Sequence, residues 1–265
     1  MIIDFHTHAL PDEIEVKVTE SLKARYKVQK LYPSTIGSLL KIISEAKVDM
    51  AVVQLFSNSP NNVCYLNNWG ADVARRFMPR ITCFGTVHPD MHDVDGELER
   101  IVKFGFKGLK LQPTAQRFVP DEPRLFRIYE KACELRLPIL FHAGEERAPM
   151  DRVYAHPKSF IQVLSSLPNL TVVLAHLGGF RMWRHVAPLA DFKNAYFDTS
   201  AATSELSAKE LKDLIGLLDA DHVLFGSDFP WFDYNQSLNM IKELDIPLED
   251  KEKILWRNAA KILGM

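Results

Sequence analysis

At 265 residues, with 32 basic and 34 acidic side chains and a net charge of −2, the chain has no basic excess to attract nucleic acid or anionic lipid. No stretch approaches the ~18 apolar residues of a membrane span, and an apolar run starting at Ile2 leaves no room for a cleavable signal peptide. Cys64, Cys83 and Cys133 are widely spaced without a CxxC pair, so they read as reduced, buried thiols of a cytoplasmic protein.

The first element is Ile2-Ile3-Asp4-Phe5, a short β-prone run that ends in His6-Thr7-His8. Side chains at i and i+2 of a strand project together, so His6 and His8 point one way and Thr7 the other. Residues 9–32 follow as a Lys- and Glu-rich insertion, read either as a lid over a site or as a solvated helix and loop. Ile36, Leu39, Leu40 and Ile43 then fall on one helical face.

Further strand-like runs follow at Met50–Leu55, Ile81–Val87, Gly108–Leu111, Pro138–His142, Leu170–His176, Ala195–Asp198 and His222–Gly226. They are continuously apolar rather than alternating, which marks strands covered on both faces, as in parallel sheets. Helical stripes lie between them: Leu125, Ile128, Tyr129, Ala132 and Leu135; Phe160, Ile161, Leu164 and Leu167; Leu211, Leu214, Ile215 and Leu218. Residues 236–244 and 249–263 read as two closing helices. Strands alternating with helices about every 30 residues predict an α/β protein, a single (β/α)8 TIM barrel over residues 1–265 with an insertion after strand 1. An open doubly wound sheet is the runner-up, weakened by the lack of a GxGxxG after the first strand.

In such a barrel the carboxyl ends of the strands converge on one face. His6 and His8 end the first strand, His88 the third, Lys110 the fourth, His142 the fifth and His176 the sixth, with Asp228 just past the eighth. Three neutral histidines and a carboxylate suit a divalent metal with room for water, and Asp228 is placed to accept a proton. His88 reads as a loop cap, and His92, His156, His185 and His222 as surface or structural residues. A free Lys110 ammonium would repel a metal, so an ion-paired lysine holding substrate or scaffold is the expected role. Arg147, Arg181 and Arg184 follow strands five and six, where guanidinium groups could bind a substrate carboxylate, although a surface salt bridge is the default for each.

The ordered motifs Asp4-Phe5-His6-Thr7-His8, Phe141-His142-Ala143-Gly144, Leu174-Ala175-His176-Leu177-Gly178-Gly179, Phe225-Gly226-Ser227-Asp228-Phe229-Pro230 and Asn258–Gly264 also carry a resemblance. The chain resembles the metal-dependent amidohydrolase superfamily, in the "amidohydrolase 2" branch with aminocarboxymuconate-semialdehyde decarboxylase. The resemblance implies metal-dependent chemistry on a small-molecule substrate, with one divalent ion, usually zinc, held by His6, His8, His142 and Asp228. It places His176 beside the site as a catalytic partner of Asp228. Lys110, His176, Arg181 and Arg184 are the residues open to a second metal or to substrate. Metal-activated water attacking an amide, ester or lactone is the main expectation. Non-oxidative decarboxylation of an unsaturated or aromatic acid is the alternative. Phosphoesterase-like, DNase-like and catalytically silent scaffold readings are weaker, because the tail motif is Asp228-Phe229-Pro230, strand four carries Lys110, and no ligand is missing. A homodimer is the default assembly.

Overall fold

The computed structural model describes all residues except 27–29 and 149. Eight parallel strands follow one another around a barrel in sequence order: β1 (Ile3–Thr7), β2 (Met50–Gln54), β3 (Ile81–Thr86), β4 (Leu109–Leu111), β5 (Ile139–Phe141), β6 (Val172–Leu174), β7 (Ala195–Asp198) and β8 (Val223–Leu224). The helices are α1 (Asp12–Tyr26), α2 (Ile36–Glu45), α3 (Val63–Phe77), α4 (Val94–Lys103), α5 (Pro113–Gln116), α6 (Phe126–Glu134), α7 (Ser159–Ser166), α8 (Ala202–Glu205), α9 (Ala208–Leu218), α10 (Tyr234–Glu243), α11 (Leu248–Glu252) and α12 (Asn258–Leu263). The architecture is the expected TIM barrel. Among the described residues, no helix is long and apolar enough to cross a membrane.

Local chemistry fixes the helix starts. Thr35 caps α2 by accepting from the Ser38 N–H at 3.1 Å, and Ser207 with Glu210 forms a capping box on α9. Within α2 the buried face is Ile36, Leu39, Ile42 and Ile43; Leu40, which the sequence pattern put on that stripe, is only half-buried. The outward residues of the strands pack against such helix faces in one large core, exemplified by Leu39, Val53, Leu109, Phe141 and Val172.

The barrel interior is layered. Ile3, Phe5, Val52, Phe84, Leu140, Val173, Tyr196 and Leu224 fill its lower part, with Ala259, Ala260 and Leu263 of α12 packed against them. Two residues further along β5 and β7 come His142 and Asp198, and Asp228 lies four beyond Leu224, so the next layer turns polar. On β1 the register shifts between Asp4 and Thr7. That irregularity lets Phe5 fill the apolar layer while the very next residue, His6, also faces the axis.

Strand β8 is shorter than its apolar run, because past Leu224 the backbone bonds to its neighbours outside a regular ladder. The Phe225 N–H donates to the Ile254 carbonyl at 2.8 Å and its own carbonyl accepts from Phe5 N–H at 2.8 Å. The seam with β1 continues through Asp228 N–H to the His6 carbonyl (2.9 Å) and His8 N–H to the Phe229 carbonyl (2.8 Å). The expected closing helix over 249–263 is one run with a π turn at Lys253–Arg257. All three cysteines are free thiols, as expected, but only Cys83 is buried; Cys133 is half-buried and Cys64 exposed. The insertion forms α1 and returns to the barrel at Leu31, whose N–H donates to the Pro230 carbonyl at 3.0 Å. The stretch of it at 27–29 lies outside the described residues.

Candidate metal centre

His6 and His8 face one another with their Nε2 atoms 3.1 Å apart, and Asp228 Oδ1 lies 3.7 Å from the first and 3.5 Å from the second. One ligand atom from each of the three falls within 4.8 Å of the others, the spread expected of donors around one cation. Both sides of the β1–β8 seam contribute. Asp228 sits at φ 57 and His176 at φ 59, left-handed backbone that a non-glycine residue adopts at a cost. Gly226 keeps the seam tight, because a Cβ there would stand 2.8 Å from the His6 Cβ.

The test of fit to a metal is which nitrogens carry protons. His8 Nδ1 is 3.0 Å from the Gln54 carbonyl and His176 Nδ1 is 3.0 Å from the Ser200 carbonyl. His142 Nε2 is 3.2 Å from the Glu145 carbonyl, and His6 Nδ1 is 2.8 Å from Asp198 Oδ2. Carbonyls and carboxylates only accept, so each of these ring nitrogens is the donor and the other nitrogen carries the lone pair. The lone pairs therefore meet in twos, His6 Nε2 with His8 Nε2 at 3.1 Å and His142 Nδ1 with His176 Nε2 at 3.0 Å. Such pairs repel unless a cation stands before them. The donor set fits a divalent metal.

The electrostatics agree. Burial holds His6 well below its ordinary range and brings His142 and His176 down to about 4, with the Lys110 charge adding to the effect on all three, so the imidazoles stay neutral. Burial works to raise Asp228, but contact with His8 and the nearby His6 and His176 outweigh it and hold the carboxyl well below its usual range.

His142 is not in the tight trio; it is turned to His176. Lys110 departs from expectation more sharply. It is fully buried, with no carboxylate within 4.0 Å among the described residues, and its Nζ lies 3.4 Å from His6 Nε2. Burial brings it down to about 8, against the pull of Asp198, Asp228 and Glu146. Lys110 is thus not ion-paired with any described carboxylate, and it stands beside His6. Arg184 is exposed and donates to His185 Nε2 at 3.0 Å, away from the centre, and Arg181 pairs with Glu205 at 2.7 Å. His88 accepts from the Asp90 N–H at 3.2 Å, the expected loop cap.

Three residues join the site that the sequence did not single out. Asp198 Oδ1 accepts from the N–H groups of His176 (3.2 Å) and Ser200 (3.0 Å) while Oδ2 takes His6. The Ser200 hydroxyl donates to Asp198 and lies 3.0 Å from His6 Nδ1 and 2.8 Å from His176 Nδ1. Glu146 Oε1 stands 3.3 Å from His142 Nε2. The signal for Asp198 was present, since it ends the seventh apolar run as His142 ends the fifth. Glu146 belongs to a loop, and nothing in its spacing points inward.

Beside Glu146 a cavity of about 370 Å³ opens, lined by Thr114, Glu145, Arg147, Met150, Arg152 and Arg181 among others. Arg147 lies over the Phe232 ring at 4.9 Å and Arg152 over Tyr154 at 4.3 Å, and neither has a carboxylate within 4.0 Å among the described residues. Phe180, Ala201 and Phe232, with Trp183 and Trp231, form an apolar cluster next to His176, whose ring is 5.7 Å from Phe180.

A family model described as Amidohydrolase matches residues 3–265. The chain is 25% identical over 239 residues to a 2-amino-3-carboxymuconate-6-semialdehyde decarboxylase of Dictyostelium discoideum, covering 76% of this chain and 66% of the relative, just under two thirds of its length. Among solved structures, a 5-carboxyvanillate decarboxylase from Sphingomonas paucimobilis superposes with a TM-score of 0.77 at 16% identity, covering 100% of this chain and 99% of that one. A dihydroxybenzoic acid decarboxylase from Polaromonas with bound manganese gives 0.74 at 17% identity, covering 99% and 96%. A probable 2-pyrone-4,6-dicarboxylic acid hydrolase from Acinetobacter baumannii gives 0.74 at 17% identity, covering 100% and 99%.

Proposed function

Since the chain belongs to the Amidohydrolase family and is an enzyme of that superfamily, we propose that it is a metal-dependent, non-oxidative decarboxylase of a small unsaturated or aromatic carboxylic acid. The observation that carries the metal dependence is the set of lone pairs on His6 and His8 that converge beside Asp228. The curated relative and the decarboxylases among the matched structures support carbon–carbon cleavage over the hydrolysis expected first.

His6, His8, His142 and Asp228 would hold the ion; zinc and manganese both accept such nitrogen and oxygen donors. Bound there, a divalent ion would supply the positive charge that anchors the substrate and draws electron density from it. The remaining work falls to the chain. Arg147 and Arg152, with no carboxylate within 4.0 Å among the described residues, offer guanidinium groups to an anionic substrate at the mouth, and the Phe180–Trp183–Phe232 wall offers its ring or double bond an apolar face. The carbon that loses carbon dioxide takes up a proton in exchange. His176 and Asp228 are the groups placed to carry it, with His176 fixed by Ser200.

Hydrolysis of a lactone is the second reading, favoured by the hydrolase among the matched folds. Elemental analysis joined to a substrate panel separates them. The expected result is about one equivalent of divalent metal and carbon dioxide release from an aromatic or unsaturated acid. Ring-opening of lactones without carbon dioxide would move the assignment to hydrolysis. No metal uptake after reconstitution would sink both.

A further inference from the structure

We propose that Glu146 is a positioning residue of this centre, bracing the His142 ring so that Nδ1 rather than Nε2 is the nitrogen offered to the metal. The inference rests on the metal-centre reading above and adds to it a residue from the loop after β5.

The Glu146 side chain is 19% exposed and its Oε1 stands 3.3 Å from His142 Nε2. That oxygen accepts from Gln112 Nε2 at 3.0 Å. The Gln112 amide is itself fixed, because its Oε1 accepts from the N–H groups of Thr114 (2.9 Å) and Ala115 (3.2 Å) at the start of α5. Gln112 can therefore present only its NH2 to Glu146, which holds the Glu146 carboxylate beside His142 Nε2. The hydrogen bond to this nitrogen itself comes from the Glu145 carbonyl at 3.2 Å. The Glu145 carbonyl thus takes the Nε2 proton, and the Glu146 carboxylate beside it draws the same proton by its charge.

The arrangement repeats a pattern across the site. One ring of each converging pair has a carboxylate beside its protonated nitrogen: Asp198 lies 2.8 Å from His6 Nδ1 and Glu146 3.3 Å from His142 Nε2, while His8 faces the Gln54 carbonyl and His176 the carbonyl and hydroxyl of Ser200. A carboxylate behind an imidazole N–H fixes its orientation and raises the basicity of the far nitrogen, and loss of such a partner typically costs ~10–100-fold in metal affinity. Gln112, anchored by the backbone of α5, holds this carboxylate in place.

The test compares the full-length protein with Glu146→Ala and Glu146→Gln, loaded with cobalt(II) and titrated with a chelator while the visible absorption of the ion is followed. Glu146→Ala is expected to lower cobalt affinity by about 10–100-fold and to change the spectrum. Glu146→Gln keeps a neutral acceptor and should recover part of the loss, and melting of the metal-free variants reports folding independently. An affinity of both variants within about threefold of the parent, with an unchanged spectrum, would overturn the role of Glu146 and leave the metal centre standing. A parent chain that takes up no cobalt would overturn the metal centre and this inference with it.

Discussion

At the scale of the residue, the site is a set of buried groups whose protonation the fold decides. Lys110 shows the sign most clearly. Its folded pKa, brought from 10.5 down to about 8 by burial, means that metal-free protein holds an unfavourable ammonium below about pH 8 and sheds the penalty between pH 8 and 10.5. The unfolded chain binds the extra proton in that window, so this residue makes stability rise with pH there. Lys110→Met should therefore stabilise metal-free protein near pH 7, by on the order of 3 kcal/mol, and the gap should close by pH 10.5. Paired urea titrations at pH 7, 9 and 10.5 check it; a constant gap would refute the assignment. Asp198 works the other way. Asp198→Ala strips acceptors from His6, His176 and Ser200 together, and should cost about 1–3 kcal/mol and weaken metal binding as well, read by denaturation with and without zinc. In the sequence, His6 and His8 were legible because a strand repeats every two residues. Asp198 was half-legible, as the end of an apolar run. Glu146 was illegible, because loop conformation after β5 places it and no period governs a loop.

At the scale of the element, the insertion after β1 is held by a small polar knot. Glu15 on α1 takes the Lys30 ammonium, the Ser34 hydroxyl at 3.0 Å and the Ser34 N–H at 3.0 Å through one oxygen. Glu15→Ala leaves that N–H without its acceptor and the Lys30 ammonium with only the hydroxyls of Thr19 and Ser34. It should expose residues 12–34 to limited proteolysis well before the barrel is cut; uniform cleavage kinetics with the parent would contradict a knot of this kind. Burial works against the carboxyl here, yet these partners bring it down to about 2. The knot is thus intact above pH 4.5 and fails as acid takes the pH from 4.5 toward 2. The helical stripes were legible to within a residue, as α2 shows by burying Ile42 in place of Leu40. The short β8 was not, since an apolar run does not reveal that its last residues bond across a seam and to the π turn.

At the scale of the whole molecule, eight apolar runs in order were enough to read the barrel, because continuous burial on both faces has few other solutions. What they could not supply was the mouth, where Arg147, Arg152 and the aromatic wall come from three separate loops. The barrel also predicts how metal and stability are linked. Ligands come from β1 and from beyond β8, so an ion bound at the trio clamps the seam. Metal at ~100-fold above its Kd should add ~2.7 kcal/mol to unfolding. Chelation should lower the melting temperature, and Asp228→Ala should remove that response; a melting point indifferent to chelator would count against the clamp.

The seam has a consequence in time as well as in space. On the ribosome His6 is made 222 positions before Asp228, and a loop of that length must close to bring the two together. Until the eighth strand docks beside the first, two imidazoles wait without their carboxylate. The earliest-made part of the centre is completed by nearly the latest, so acquisition of metal becomes a signal that the barrel has shut. Chains halted before Asp228 should compete poorly for zinc against the finished protein, however much of the sheet they have already formed.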